Sequence, residues 1–173
     1  VGLSIAGLSF AAGAGAFTLA GLADTAAHRL VLTGNLGNLS GNRQTINLLI
    51  DARGAVPQLW DGGAHGVVIN RSVTLGDLTT VTLANQVTLN DVNVFTVGTH
   101  GDSTLNVTAG SVVGSGQGGV IGERLGSNGT VTVAGTNSRW ATGSSSLLVG
   151  AAGYAMLNIE SGGRVTSGYG DLG

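Results

Sequence analysis

The chain has no cysteine and no lysine, one proline (Pro57) and few aromatic residues. Without cysteine there is no disulfide and no thiolate metal site. Only 9% of the residues are charged, all seven basic ones are arginine, and the formal net charge is −2. No basic cluster occurs anywhere, so a nucleic-acid partner has no electrostatic footing. Aromatics make up 4% of the chain although apolar residues make up 42%. A rounded core built on large rings is thereby excluded. The interior must be narrow and filled by Val, Leu, Ile and Ala. Disorder is excluded as well, because it requires low hydrophobicity or high charge.

What the chain has in quantity is glycine, 32 of 173 residues, and internal repetition. Laid over Val149–Gly170 with a shift of 52 positions, Val97–Gly118 matches at ten places without a gap. These include Leu105/Leu157, Asn106/Asn158, Gly110/Gly162 and Val113/Val165. A weaker half-copy lies between them, Ile121-Gly122 and then Gly129-Thr130-Val131-Thr132-Val133-Ala134-Gly135. The unit is therefore about 26 residues, a length that signals stacked repeats. Such a unit cannot bury its own apolar face and must stack on its neighbours.

Each copy carries short alternating triplets: Phe95-Thr96-Val97, Leu105-Asn106-Val107, Val131-Thr132-Val133 and Leu157-Asn158-Ile159, with Leu147-Leu148-Val149 beside them. Period two is the strand signature, since successive side chains point to opposite faces. Glycines flank nearly every triplet and suit the tight corners that strands of three or four residues need. No sustained 3.6-residue apolar period follows Gly98, and this much glycine weakens helices. The fold class predicted is all-β, a right-handed parallel β-helix of roughly seven rungs. At about 4.8 Å per rung the rod would be on the order of 34 Å long.

Residues 1–23 carry no charge before Asp24 and are rich in Ala, Gly and Leu. Their length admits a membrane-spanning helix. A signal peptide would need a basic amino end, which is missing. The alternating Leu3-Ser4-Ile5, Leu8-Ser9-Phe10 and Phe17-Thr18-Leu19 favour further rungs. The rhythm continues through Leu30-Val31-Leu32, a Gly/Asn corner stretch over 34–42, and Thr45–Ile50. Residues 51–66, with Pro57, Trp60 and Asp61-Gly62-Gly63, break it and read as a loop or rung transition. Triplets resume at Val67-Val68-Ile69, Val73-Thr74-Leu75, Val81-Thr82-Leu83 and Val87-Thr88-Leu89. One β-helix segment of a longer chain is expected, in three stretches: 1–50, 51–94 with transition and short-strand rungs, and 95–173 with the tandem repeats.

Gly13-Ala14-Gly15-Ala16-Phe17-Thr18-Leu19, Leu30-Val31-Leu32-Thr33-Gly34 and Asn42-Arg43-Gln44-Thr45-Ile46-Asn47 resemble the autotransporter-associated β-strand repeat. The run from Gly126 through Trp140, then Leu148-Val149-Gly150 and Leu157–Gly163, resembles the repeat of type V secretion passengers and PEP-CTERM-associated proteins. The two cover most of the chain, and 51–93 matches least. The resemblance implies an exported passenger domain on, or released from, a Gram-negative cell surface. The absence of cysteine is compatible with that location. Such passengers share their shaft and differ in activity, so the expected role is structural, a stalk or scaffold within an adhesin. Its partners would be host-surface or matrix glycans and proteins, with end-to-end self-association as a filament subunit the second reading. No nucleic acid and no membrane insertion by this segment are expected. A polysaccharide-degrading enzyme on the same fold is the third reading.

No residue is assigned as catalytic, cofactor-binding or metal-ligating. The nearest to a site is a corner series, Asp77, Asp102 and Asn128, with Asp51 a further 26 residues back and Tyr154 breaking the series. Stacked carboxylates can hold Ca²⁺ or act on a glycosidic bond. They equally cap their own backbone through Asx-turns, which is the commoner use. His28, His65 and His100 are spaced out of phase with the rung and are not expected to stack. Gly114–Gly119 matches Gly-x-Gly-x-x-Gly without a following helix and reads as a corner. Trp60, Trp140, Tyr154 and Tyr169 would make a glycan-stacking surface if exposed together, whereas the resemblance implies that Trp140 caps a core edge or loop. Asn38, Asn70, Asn106 and Asn128 open short Asn-x-Ser/Thr patterns that Asn-rich chains meet by chance. Thr130/Thr132 make a Thr-x-Thr pair, but no regular threonine array is read on the neighbouring rungs.

Overall fold

The structure is a computed structural model and describes residues 2–21 and 29–173. These form twenty-two short strands and no helix. The first rung is β1 (Leu3–Ile5), β2 (Leu8–Phe10) and β3 (Thr18–Ala20), and the second is β4 (Arg29–Leu32), β5 (Leu36–Asn38) and β6 (Gln44–Asn47). The third is β7 (Leu49–Ala52), β8 (Gln58–Asp61) and β9 (Val67–Ile69); the fourth is β10 (Val73–Leu75), β11 (Thr79–Ala84) and β12 (Val87–Asp91). The fifth is β13 (Phe95–Val97), β14 (Asp102–Val107) and β15 (Val112–Ser115); the sixth is β16 (Gly119–Ile121), β17 (Asn128–Ala134) and β18 (Arg139–Ala141). The seventh is β19 (Ser146–Val149), β20 (Tyr154–Glu160) and β21 (Arg164–Thr166), and β22 (Tyr169–Leu172) opens another turn.

The rungs stack into a three-walled parallel β-solenoid. The second wall is one seven-stranded sheet from β2 to β20, and the third is one from β3 to β21. The first wall is split into two four-stranded sheets, β1-β4-β7-β10 and β13-β16-β19-β22. The triplets at residues 3–5 and 8–10 are strands of the first rung, as their alternation predicts, and Phe17-Thr18-Leu19 overlaps β3. Val1, Leu22 and Ala23 lie outside the described residues. Among those residues no helix is long and apolar enough to cross a membrane.

Period two fixes which side chains enter the axis. On the second wall Leu8, Leu36, Trp60, Leu83, Val107, Val133 and Ile159 form one inward column through all seven rungs. On the third wall Leu19, Ile46, Ile69, Leu89, Val113, Trp140 and Val165 form another. Leu105 is fully buried, and Leu157, above it in the last complete rung, packs partly buried against the same core. The 52-residue repeat is two rungs, because Leu105 pairs with Val131 and Val131 with Leu157.

Residues 51–66 are not an interruption. Asp51 and Ala52 end β7, and Trp60 pairs with both Leu36 and Leu83 in the second wall. The sequence rhythm breaks there because the interior is partly polar, with Gln58 Oε1 accepting from Trp60 Nε1 at 3.2 Å. The 34–42 stretch likewise contains a strand, β5, between its corners.

Rung length is not constant. Val67 pairs with Val87, a step of 20, whereas Gly119 pairs with Leu147, a step of 28. The corners absorb the difference. The corner leaving the first wall is the same in three successive rungs: Gly98, Gly122 and Gly150 all have φ between +68° and +80°. An L side chain is disfavoured in that left-handed conformation.

Gly119 serves a different need. Trp140, fully buried on the third wall, reaches across the axis and meets Phe95 edge-on at a centroid distance of 5.9 Å. A Cβ at position 119 would lie 2.5 Å from Trp140 Cζ2 and 2.9 Å from Leu147 Cδ1. Gly119→Ala is expected to cost about 1–3 kcal/mol through overpacking. Urea unfolding followed by circular dichroism measures it. A midpoint equal to that of the unchanged protein would refute the tight fit.

Candidate functional site

A polar concavity lies on the first wall beside its split. It is a groove of about 450 Å³ lined by Arg29, Asp51, Arg53, Thr74, Leu75, Gly76, Asp77, Thr99 and His100. Pairing sets its floor, since Asp51 stands between Val31 and Thr74 in an outward column. Asp51 is buried although it points outward, because two arginines close over it. Arg29 Nη1 lies 3.3 Å from Asp51 Oδ2, Arg53 Nη2 2.7 Å and Arg53 Nε 2.9 Å. The hydrogen bonds to Asp51 first, and its charge second, hold the Arg53 guanidinium protonated more firmly than a free one. A carboxylate engaged this way braces neighbouring rungs at the surface. All three of these bonds fall on Oδ2.

The predicted corner series is only partly assembled. Asp102, Asn128 and Tyr154 do stack in register at the start of β14, β17 and β20. Asp77 lies one place early, with its carboxylate against Gly101, where a Cβ would come within 3.0 Å of Asp77 Cγ. Asp51 is on another wall and does not belong to the series. The spacing of 26 residues is misleading here because the intervening rungs have other lengths. Among the described residues no three His, Cys, Asp or Glu side chains gather closely enough to hold a metal ion.

The Asx-turn role falls to two acids outside that series. Asp61 Oδ1 accepts from Gly63 N at 2.8 Å and from Asn85 Nδ2 at 2.9 Å. Asp91 Oδ1 accepts from Asn93 N at 2.9 Å and from Ser72 Oγ at 2.8 Å. Asp61-Gly62-Gly63 was legible as a turn. Asp91 carried no signal beyond its place just after a triplet.

The remaining candidates scatter. His65 and His100 are exposed at different corners, and His28 lies outside the described residues. Trp60 and Trp140 are fully buried, whereas Tyr154 and Tyr169 are 79% and 74% exposed on the last strands. The four rings therefore make no common platform, and Trp140 sits inside the core rather than at its edge. Of the Asn-x-Ser/Thr asparagines, Asn38 is buried and Asn70 sits in an amide ladder, donating to Asn47 Oδ1 and accepting from Asn90 Nδ2. Asn106 donates to Thr82 Oγ1 at 3.1 Å, and Asn128 is exposed.

Threonine is more ordered than its spacing suggests. Thr80, Thr104 and Thr130 stack in register on the outside of the second wall, beside Thr82, Asn106 and Thr132. The step changes from 24 to 26 residues along this column, which hides it from any fixed period. The outward face of the second wall in these rungs thus bears hydroxyls and amides, with Asn106 bonded along the rod axis to Thr82. Comparison with family models, with curated proteins and with solved structures finds no match for the chain.

Proposed function

We propose that this rod is a structural stalk, a segment of the passenger of an exported bacterial surface protein of adhesin type. The observation that carries the reading is the pair of uninterrupted seven-stranded parallel sheets running from the first complete rung to the last. Their hydrogen bonds run along the rod axis and join every rung to the next, so the rungs are held as one continuous stack. The inward aliphatic columns keep the rungs aligned, and close packing leaves little room to bend. The outward face of the second wall supports the same reading, since its middle rungs carry short hydroxyl and amide side chains rather than aromatic or arginine anchors. The exported location rests on the repeat resemblance.

A graft tests it. The segment is placed between a cell-surface anchor and a binding tip of known ligand, with rungs removed in complete turns. Adhesion reach, read by single-molecule force spectroscopy, is expected to fall by about 4.8 Å per rung removed. It is expected to be indifferent to substitution of the outward Thr80, Thr104 and Thr130. Saturable binding of the isolated segment to cells or matrix glycans would overturn the spacer role. Mass that rises with concentration in sedimentation would favour the filament subunit instead.

A further inference from the structure

Two arginines stand side by side on the outside of the third wall. Arg139 opens β18 and Arg164 opens β21, and the two are paired in register. The next pair, Trp140 and Val165, turns inward to the core, which sets Arg139 and Arg164 outward. Backbone bonds fix the stacking, since Arg139 N donates to Ser111 O and Arg164 N to Ser138 O, each at 3.0 Å. Both arginines are exposed, and their strands lie about 4.8 Å apart. Like charges held opposite one another on neighbouring strands repel.

The chain supplies nothing to offset them. Neither guanidinium makes a hydrogen bond or an ion pair among the described residues. Between Ser103 and Gly170 the only acids are Glu123 and Glu160. Glu123 lies in the corner between the first and second walls, and Glu160 ends β20 on the second wall. The third wall of the last three rungs and both corners flanking it therefore carry no carboxylate. Elsewhere the same fold treats two arginines differently. Arg29 and Arg53 reach from different rungs, and the Asp51 carboxylate sits between them. At Arg139 and Arg164 the corresponding place is a groove of about 480 Å³, which Val112, Thr136, Asn137 and Ser138 also line. Thr136 and Asn137 are exposed, and neither side chain is bonded within the chain.

We propose that this groove is a binding site for a doubly charged tetrahedral oxyanion, a phosphate or sulfate group. A guanidinium recognises oxyanions through two parallel N–H donors. A tetrahedral dianion can present an oxygen edge to each of two guanidiniums and balance both charges, whereas a carboxylate has one edge and one charge. The Thr136 hydroxyl and the Asn137 amide add neutral donors in the same groove. The ligand is either the free anion or an ester carried on a larger molecule. The site stands apart from the stalk reading, since it needs only these two rungs in register.

Titration of the full chain with inorganic phosphate at constant ionic strength, followed by NMR of the arginine side chains and backbone amides, tests this. Shifts at Arg139, Arg164 and Asn137 are expected to saturate together. Arg139→Gln and Arg164→Gln are each expected to weaken binding at least about tenfold, by loss of one charged donor pair. Arg164→Lys keeps the charge without the fork and is expected to bind more weakly too. Arg124→Gln removes an exposed arginine from another corner and is expected to change nothing. A sulfated disaccharide separates the two sources. Saturation by phosphate alone assigns the free anion; tighter binding of the disaccharide through the same arginines assigns a glycan ester and retires the spacer role. Shifts that never saturate with either ligand, or a titration unchanged in Arg164→Gln, would overturn the site.

Discussion

Trp140→Ala is expected to lower the unfolding free energy by about 3–5 kcal/mol, the cost of removing a large buried ring. The site gives little means of recovery. Trp140 is fully buried, its ring meets Phe95 edge-on, and Gly119 on the adjacent wall has no side chain to move into the space. The indole also donates to Ser115 Oγ at 3.1 Å, which would be left inside the shaft with one partner fewer. Trp140→Phe keeps most of the ring and loses that bond, so it should cost clearly less. Denaturant titration of both variants checks the order. Equal midpoints for Trp140→Ala and the unchanged chain would mean that the middle rungs do not depend on this packing.

The second large effect is expected at a polar position. Asn38 stands at the end of β5, where the inward column turns from the second wall toward the third. Its Oδ1 accepts from Ser40 N at 3.0 Å and from Ser40 Oγ at 2.7 Å, and its Nδ2 donates to Asn42 O and Gly66 O at 2.9 Å each. Gln44 completes the network, donating to Ser40 Oγ at 2.7 Å and to Gly15 O at 2.9 Å while accepting from Phe17 N. Three rungs are tied by this one cluster. Asn38→Leu keeps the branched four-atom side chain but strips Ser40 N of its acceptor in a buried place. An orphaned buried donor costs about 1–3 kcal/mol, and the freed carbonyls add to that. Exchange protection should fall over β3, β6 and β9 and hold over β17 and β20. A uniform loss along the rod would instead mean that the network contributes no local tie.

The two variants mark where sequence reading succeeds and where it stops. Leu105, Val107, Val131 and Val133 were legible as core from alternation alone, because strand geometry sends every second side chain inward whatever its neighbours do. Glycine corners were legible for the same local reason. Trp140 was legible as a fixed position but not as the ring that spans the axis. That role depends on Gly119 and Phe95, which belong to another wall. The Asn38 network was read as a corner stretch, since nothing in Gly34–Asn42 states which amides face in. The groove at Asp51 was invisible, because Arg29 and Arg53 reach Asp51 by stacking and by a local turn rather than by a repeated spacing.

The chain by itself determined the class of fold, the inward and outward phase of each strand, a rung count near seven and the narrow aliphatic interior. All of these follow from period-two alternation, corner residues and composition, which act over a few neighbouring positions. Tertiary structure decided the register. Steps between paired residues range from 20 to 28, and only stacked hydrogen bonds show how each corner takes up the difference. Register in turn decided that Asp51 leaves the acidic series, that threonines align, and that Arg139 and Arg164 come to stand side by side. Those are relations set by how the rungs stack, and they exist only once the rungs are stacked.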